Sequence, residues 1–353
     1  MTKEEFEKEL ETFNYKYPEE LIATFPANPR DSAKLLVYSR GGNKIETDTF
    51  ANLGDYLPEK SVLVFNETKV IPARLILEKP TGGKVKILIV GVEDGKIKVM
   101  ADRKIIPGDV LSAGGVDFSV ESQEEKYFYL LPPTGFIDDN DFTIAFYELL
   151  DRIGEVPLPP YIKNTPLERD ELLEEYQTVF ARNAGSFAAP TASLHFTKEL
   201  IEEIRKAGHE VVFITLHVGL GTFAPLTEEN LVSGKLHKEY YEISESTAKV
   251  IEEAKASGRK IISVGTTATR ALESSAGGYG KILKRGGETD LFIREGYEFK
   301  IIDGLVTNFH VPKSSLMMLV SALTGREKLL ELYAFAIDHQ FRLFSFGDGM
   351  LVL

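Results

Sequence analysis

"TKELIEEIRKAGHEVVFITLHV", residues 197–218, decides the fold class. It reads as an amphipathic helix with Thr197 as N-cap and Gly208 at its end, and "HEVVFITLHV" follows as a strand. The same order returns in "ESTAKVIEEAKASG" (245–258) and "RKIISVG" (259–265), so helix, glycine and strand alternate. That alternation predicts an α/β layer structure. Upstream, from about Ser61 to Leu131, the pattern changes to short period-2 segments: "SVLVFN", "ARLILEK", "KVKILIVGVE", "KIKVMADR", "DVLSAGG", "VDFSVES" and "KYFYLL". Turns such as "KPTGG", "EDG" and "IPGD" separate them, which predicts a small antiparallel β-barrel. The first sixty residues are too few to stand alone, so they join the α/β part and the barrel becomes an insertion. The expected division is a discontinuous α/β domain, 1–60 and 153–353, around an inserted barrel domain, 61–152. The helix "DFTIAFYELLDRIG" and the stiff "EVPLPPYI" lead back out of the barrel.

Composition narrows the chemistry. With 353 residues, 43% hydrophobic and 27% charged, the chain can bury a large core without staples. There is no cysteine, which excludes disulfides, a thiolate nucleophile, Cys-ligated zinc and iron–sulfur clusters. The acidic opening "MTKEEFEKELETFNYKYPEELIA" lacks the order of an export signal, and no long apolar run follows, so a cytoplasmic enzyme is expected, with no membrane contact. A net charge of −13 argues against non-specific nucleic-acid binding but leaves room for a local basic face.

Candidate sites fall at the junctions. In "FITLHVGLGTFAP" (213–225), Gly219, Gly221 and Ala224 have the G-x-G-x-x-A spacing of a dinucleotide loop, with Glu239 near the ribose-binding distance. The next helical pattern, "LTEENLV", starts too late for that motif, leaving either a turn or a close approach of backbone to ligand. "GSFAAPTASLHFT" (185–197) brings small residues and His195 ahead of a helix. "VGTTATRALES" (264–274) puts Thr266, Thr267 and Thr269 on a first helical turn, with Arg270 behind, which suits a carboxylate or phosphate. "DGLVTNFHVPKSS" (303–315) places Asn308 and His310 at another strand end. His195, His217 and His310 thus share one kind of context, which favours acid–base work or hydrogen bonding to a polar ligand. Their wide separation and the lack of an H-E-x-x-H pair disfavour a metal site.

These segments, with "FNETKVIPARL", "LPPYI", "YQTVFA", "AAPTASLHF", "TLHVGLGTFAPL", "VTNFHVPKSSLMMLVSA" and "FRLFSFGDGML", resemble in order the S-adenosylmethionine:tRNA ribosyltransferase-isomerase family of queuosine biosynthesis. The likeness spans essentially the whole chain, with Ser193 where the family commonly has Gly, Gly349 where Ala is usual, and Gly234 where a His often precedes His237. It implies an α/β domain with a β-barrel insertion. It also implies transfer and isomerisation of the ribosyl part of S-adenosylmethionine onto 7-aminomethyl-7-deazaguanine at the tRNA wobble position. Adenine and methionine leave, and epoxyqueuosine remains in the tRNA. S-adenosylmethionine is then a co-substrate, with no metal. The lack of cysteine excludes a radical cluster and leaves polar sulfonium chemistry.

Under this resemblance His195, His217 and His310 are the expected acid–base groups, and Thr266, Thr267 and Arg270 the ligands of the methionine carboxylate or a phosphate. Gly219 and Gly221 would admit the adenosine, and Asp303, Asn308 and Asp348 would orient polar groups. The tRNA would present its modified base from an unpaired anticodon loop, with Arg30, Lys34, Arg40, Lys44, Lys281, Lys284 and Arg285 as candidate phosphate contacts. A monomer is the expected state. Two other classes compete: a nicotinamide-dependent oxidoreductase built on the glycine pattern, and a non-catalytic RNA-binding module built on the barrel.

Overall fold

The computed structural model describes residues 2–138, 141–219 and 225–353. Its largest element is a nine-stranded mixed sheet. Four parallel strands form the centre, in spatial order Glu210–Leu216, Val62–Asn66, Ile261–Val264 and Gly304–Asn308. Antiparallel strands Lys235–Glu242 and Gly286–Leu291 extend one side. Gly349–Val352, Lys34–Ser39 and Lys44–Thr49 extend the other.

The expected α/β alternation is present. Helix Lys198–Lys206 starts where the Thr197 hydroxyl accepts from Leu200 N (3.0 Å), buries Leu200, Ile201 and Ile204, and ends before Gly208. Gly208 takes φ +92°, a conformation that glycine adopts without steric cost. The next residue, His209, accepts at Nδ1 from Ser61 N (3.1 Å) and so ties the starts of two central strands together.

The barrel is also present, closed by six antiparallel strands in the order Tyr127–Leu131, Lys96–Ala101, Lys84–Glu93, Arg74–Glu78, Val110–Ala113 and Val116–Glu124. Period-2 alternation turns Leu75, Leu77, Val85, Ile87, Ile89, Val99, Phe118 and Val120 inward, and helix Ile144–Ile153 adds Phe146, Leu149 and Leu150 to the same core. "SVLVFN" is not one of its strands. Val62–Asn66 lies at the centre of the large sheet, buried at every position, because a short apolar run covered on both faces carries no alternation to distinguish it. Arg74 and Glu155 exchange backbone hydrogen bonds (3.1 and 2.7 Å) where the chain enters and leaves the barrel. Beside them Gly154 has no room for a Cβ, which would meet the Pro72 carbonyl oxygen at 2.1 Å. No helix among the described residues is long and apolar enough to cross a membrane.

Candidate active site

A cavity of about 410 Å³ lies at the carboxyl ends of the central parallel strands, where open α/β sheets place their ligands. Segment Ala188–Ala192, the start of helix Thr266–Ser275 and segment Thr307–Ser315 enclose it, with Tyr161 and Phe344 as aromatic walls. Strands Val62–Asn66 and Gly304–Asn308 are apolar until their last one or two residues, so their polar side chains appear at this end.

One of these is Asn66. Its side chain brackets Leu216, accepting from the backbone N (2.9 Å) and donating to the carbonyl (2.9 Å), and it also donates to Thr267 Oγ1 (3.2 Å). Thr266 and Thr267 therefore face the cavity from a fixed helix start, whose first backbone N–H groups have no intrahelical acceptor.

Asn308 forms the second polar point. Its Oδ1 accepts from Thr191 Oγ1 (2.9 Å), and its Nδ2 donates to the Phe344 carbonyl (3.2 Å) and to His195 Nε2 (3.3 Å). The carbonyl partner requires the NH₂ group on that side, so His195 Nε2 is the acceptor and its proton sits on Nδ1. His195 lies behind Asn308, outside the cavity lining, with its ring stacked on Phe50 at 4.1 Å. Burial, reinforced by the positive charges of Arg342 and Arg30, pulls its pKa down to about 3.

His310 does line the cavity. Its Nε2 shares a hydrogen bond with Thr307 Oγ1 (2.9 Å). Two tyrosines clamp its backbone: Tyr333 OH accepts from the N–H (2.8 Å), and Tyr15 OH donates to the carbonyl (2.5 Å). Burial brings its pKa down to about 3, so the imidazole is neutral at neutral pH.

His217 sits elsewhere. Just past the strand that ends at Leu216, Val218 lines the cavity, while Thr215 and His217 line a separate open cleft of about 710 Å³ with Arg182, Tyr240 and Glu242. There His217 Nδ1 shares a hydrogen bond with Thr68 Oγ1 (2.8 Å), and the ring lies over Gly185, where an added Cβ would come within 3.1 Å of it. Burial lowers its pKa, opposed by the carboxylates of Asp141 and Glu242. The structure thus brings Thr266, Thr267, Asn308 and His310 together and leaves His217 apart.

The remaining candidates scatter. Arg270, on the same helix as Thr266, is buried in an ion pair with Glu239 beside a side recess of the cavity. Asp348 is a buried bracket whose carboxylate accepts from Lys34 N (3.0 Å) and Arg342 N (2.8 Å). Asp303 lies at the opposite, amino-terminal end of its strand, accepting from Ile261 N (2.9 Å) and pairing with Lys255 (3.1 Å). Gly219 donates its N–H to Glu239 (2.9 Å), and among the described residues a Cβ there would meet nothing closer than 3.8 Å. Gly221 lies outside the described residues. Among the described residues, no three His, Cys, Asp or Glu side chains cluster to hold a metal ion.

Of the candidate phosphate contacts, Arg30, Lys34 and Arg40 donate to backbone carbonyls, among them those of Gln177, His339 and Leu353. Lys44 and Arg285 pair with Glu46 and Glu245, whereas Lys281 and Lys284 are exposed. Sequence reasoning passed over Thr191, Thr307 and the Tyr161–Ser345 pair (2.7 Å), all of which line the cavity. The quoted motifs contain these residues, but hydroxyls in such segments are too common to stand out.

Residues 10–352 match the family described as queuosine biosynthesis protein. The chain belongs to that family. Two relatives named S-adenosylmethionine:tRNA ribosyltransferase-isomerase show how close the likeness is. The Desulforamulus reducens protein is 44% identical over 349 residues, 98% of this chain and 100% of its own length. The Fusobacterium nucleatum protein is 45% identical over 353 residues, 97% of this chain and 96% of its own. A crystal structure of S-adenosylmethionine tRNA ribosyltransferase from Thermotoga maritima shares 31% identity and a TM-score of 0.55, covering 97% of this chain and all of that one (100%).

Membership of the queuosine biosynthesis family removes the nicotinamide reading, and the geometry agrees. Among the described residues, the helix after strand Glu210–Leu216 starts only at Glu228, and Glu239 is committed to Gly219 N and Arg270. The departures from the family pattern have local surroundings that can be named. Gly234 takes φ +68° as the left-handed cap of helix Glu228–Ser233, a place that favours glycine over histidine. Gly349 lies so close to Phe50 and Thr307 that an added Cβ would come within 2.9 Å of each. Ser193 buries its hydroxyl without a partner among the described residues, and nothing in the structure explains that choice.

Proposed function

We propose that this chain transfers the ribosyl group of S-adenosylmethionine to the aminomethyl group of 7-aminomethyl-7-deazaguanine in tRNA and isomerises it, giving epoxyqueuosine-tRNA, adenine and methionine. The observation that carries the reading is the meeting of three distant motif segments, 188–192, 265–267 and 307–315, on one cavity of small-molecule size at the carboxyl ends of the parallel strands.

The chemistry needs a proton acceptor close to the ribose. The sulfonium acidifies the hydrogens on C5′, and removal of one gives an ylide whose collapse expels adenine. The substrate amine must also shed a proton as it forms its bond to carbon. His310 is the group we assign to this work. Burial keeps it neutral, the form whose ring nitrogen can accept a proton and the form compatible with a nearby sulfonium cation, while the same burial makes it a weaker base than a solvated imidazole. The Thr307 hydroxyl and the two tyrosines on its backbone hold the ring in place. His195 acts one step removed, as a positioning residue, since it holds Asn308 and through it Thr191. The start of helix Thr266–Ser275, with the hydroxyls of Thr266 and Thr267, presents donors to the polar part of the ligand. Tyr161 and Phe344 offer apolar faces to the nucleoside.

Incubation of the protein with S-adenosylmethionine and tRNA carrying the aminomethyl-deazaguanine tests the proposal. Adenine and methionine should appear in equal amounts, together with modified tRNA. A reaction mixture that releases neither would overturn it.

A further inference from the structure

The cavity has a side recess of about 20 Å³, the two sharing Pro225, Leu226, Ser315 and Leu316. Arg270 lines the recess, and its position is set by the helix that starts the main site. Thr266 lies four residues earlier, so both side chains issue from the same helix face. The guanidinium is 6% exposed. Its Nε donates to the Leu291 carbonyl (3.2 Å) and its Nη1 to the Glu239 carboxylate, while Nη2 is buried with no acceptor among the described residues. A charged donor held inside a protein without an acceptor is costly, and such a group is retained where a ligand supplies what is missing. His237 lines the same recess from its exposed side.

We infer that the recess is a carboxylate subsite, in which Arg270 Nη2 donates to one oxygen of the amino-acid end of S-adenosylmethionine. The inference rests on the reaction proposed above, which supplies that ligand. The size of the recess selects the group. Space for about one water-sized atom admits a carboxylate oxygen and excludes an esterified backbone phosphate of tRNA. Leu226 and Leu316 line both the cavity and the recess, apolar surfaces that match the methylene groups between sulfonium and carboxylate. The ion pair with Glu239 fixes one edge of the guanidinium plane, so the free edge is pre-oriented and little side-chain freedom is lost on binding.

The test compares S-adenosylmethionine with its decarboxylated analogue by titration calorimetry, first on the wild-type protein. Loss of the carboxylate should weaken binding about 10- to 100-fold, the range of a charge-assisted hydrogen bond. The same pair is then measured on Arg270→Lys, which keeps a cation for Glu239 but removes the free Nη2. Should that variant not fold, the neutral pair Arg270→Gln with Glu239→Gln takes its place. In either background the two ligands should bind alike. Equal binding by the wild-type protein, or discrimination that survives the substitution, overturns the subsite and leaves the reaction standing. No binding of S-adenosylmethionine by the wild-type protein would instead overturn the reaction itself.

Discussion

Replacing Asn308 by alanine strips acceptors and donors from both sides of the cavity wall at once. His195 Nε2 and the Phe344 carbonyl each lose the Nδ2 donor, and Thr191 loses the acceptor for its hydroxyl. Thr191 lines the cavity and can turn to solvent, whereas His195 is buried and cannot. The Phe344 carbonyl still accepts from Gly347 N (3.0 Å), so only His195 is left without its partner, and one such buried group predicts a loss of about 1–3 kcal/mol. Urea unfolding followed by circular dichroism measures the loss as a shift of the midpoint at constant slope. Asn308→Asp supplies a sharper control, because a carboxylate next to Nε2 favours the protonated ring. The pKa of His195 should then rise from about 3, an effect that histidine ring NMR follows directly. An Asn308→Ala protein within about 0.5 kcal/mol of wild type, the range of an ordinary surface substitution, would refute the argument that Asn308 holds this network.

Acid should destabilise the protein early. His195 and His310 both have folded pKa values pushed down to about 3 from 6.5, so the unfolded chain binds more protons between those values. Their stability contribution is complete above pH 6.5 and is lost as pH falls towards 3, at up to about 1.4 kcal/mol per pH unit for each histidine. Unfolding midpoints between pH 7.5 and 5 measure this, and His310→Gln should flatten the profile. Gly154→Ala should lower the melting temperature sharply, since its Cβ would meet the Pro72 carbonyl oxygen at 2.1 Å. Overpacking of this kind costs about 1–3 kcal/mol or more, while Gly219→Ala, with 3.8 Å of clearance, should fold normally. His217→Ala should leave the Kd for S-adenosylmethionine unchanged, because His217 lines a separate cleft; a large rise would place the ligand there instead.

What was legible in the sequence was local. Thr197 and Gly208 bound their helix as caps do, and the barrel strands alternate as half-buried strands must. Val62–Asn66 was misplaced because a run buried on both faces has no period to read. The histidines show where local reading ends. His217 and Val218 are neighbours in sequence, yet they line two separate hollows, and only the fold says which of the two is the cavity. His195 sits beside the cavity but behind Asn308, a distinction that rests on a contact across 113 residues. The Arg270–Glu239 pair spans 31 residues and changes the meaning of both: Glu239 becomes a partner for Arg270 and Gly219 rather than a ribose ligand.

Single-turnover release of adenine by His310→Gln, with tRNA and S-adenosylmethionine both saturating, tests the central claim most directly. The cavity geometry predicts a rate about 10²- to 10⁴-fold below wild type, the usual contribution of a general acid or base, with the Kd for S-adenosylmethionine little changed. A near-wild-type rate would contradict the assignment of the chemistry to His310 and to the cavity it lines.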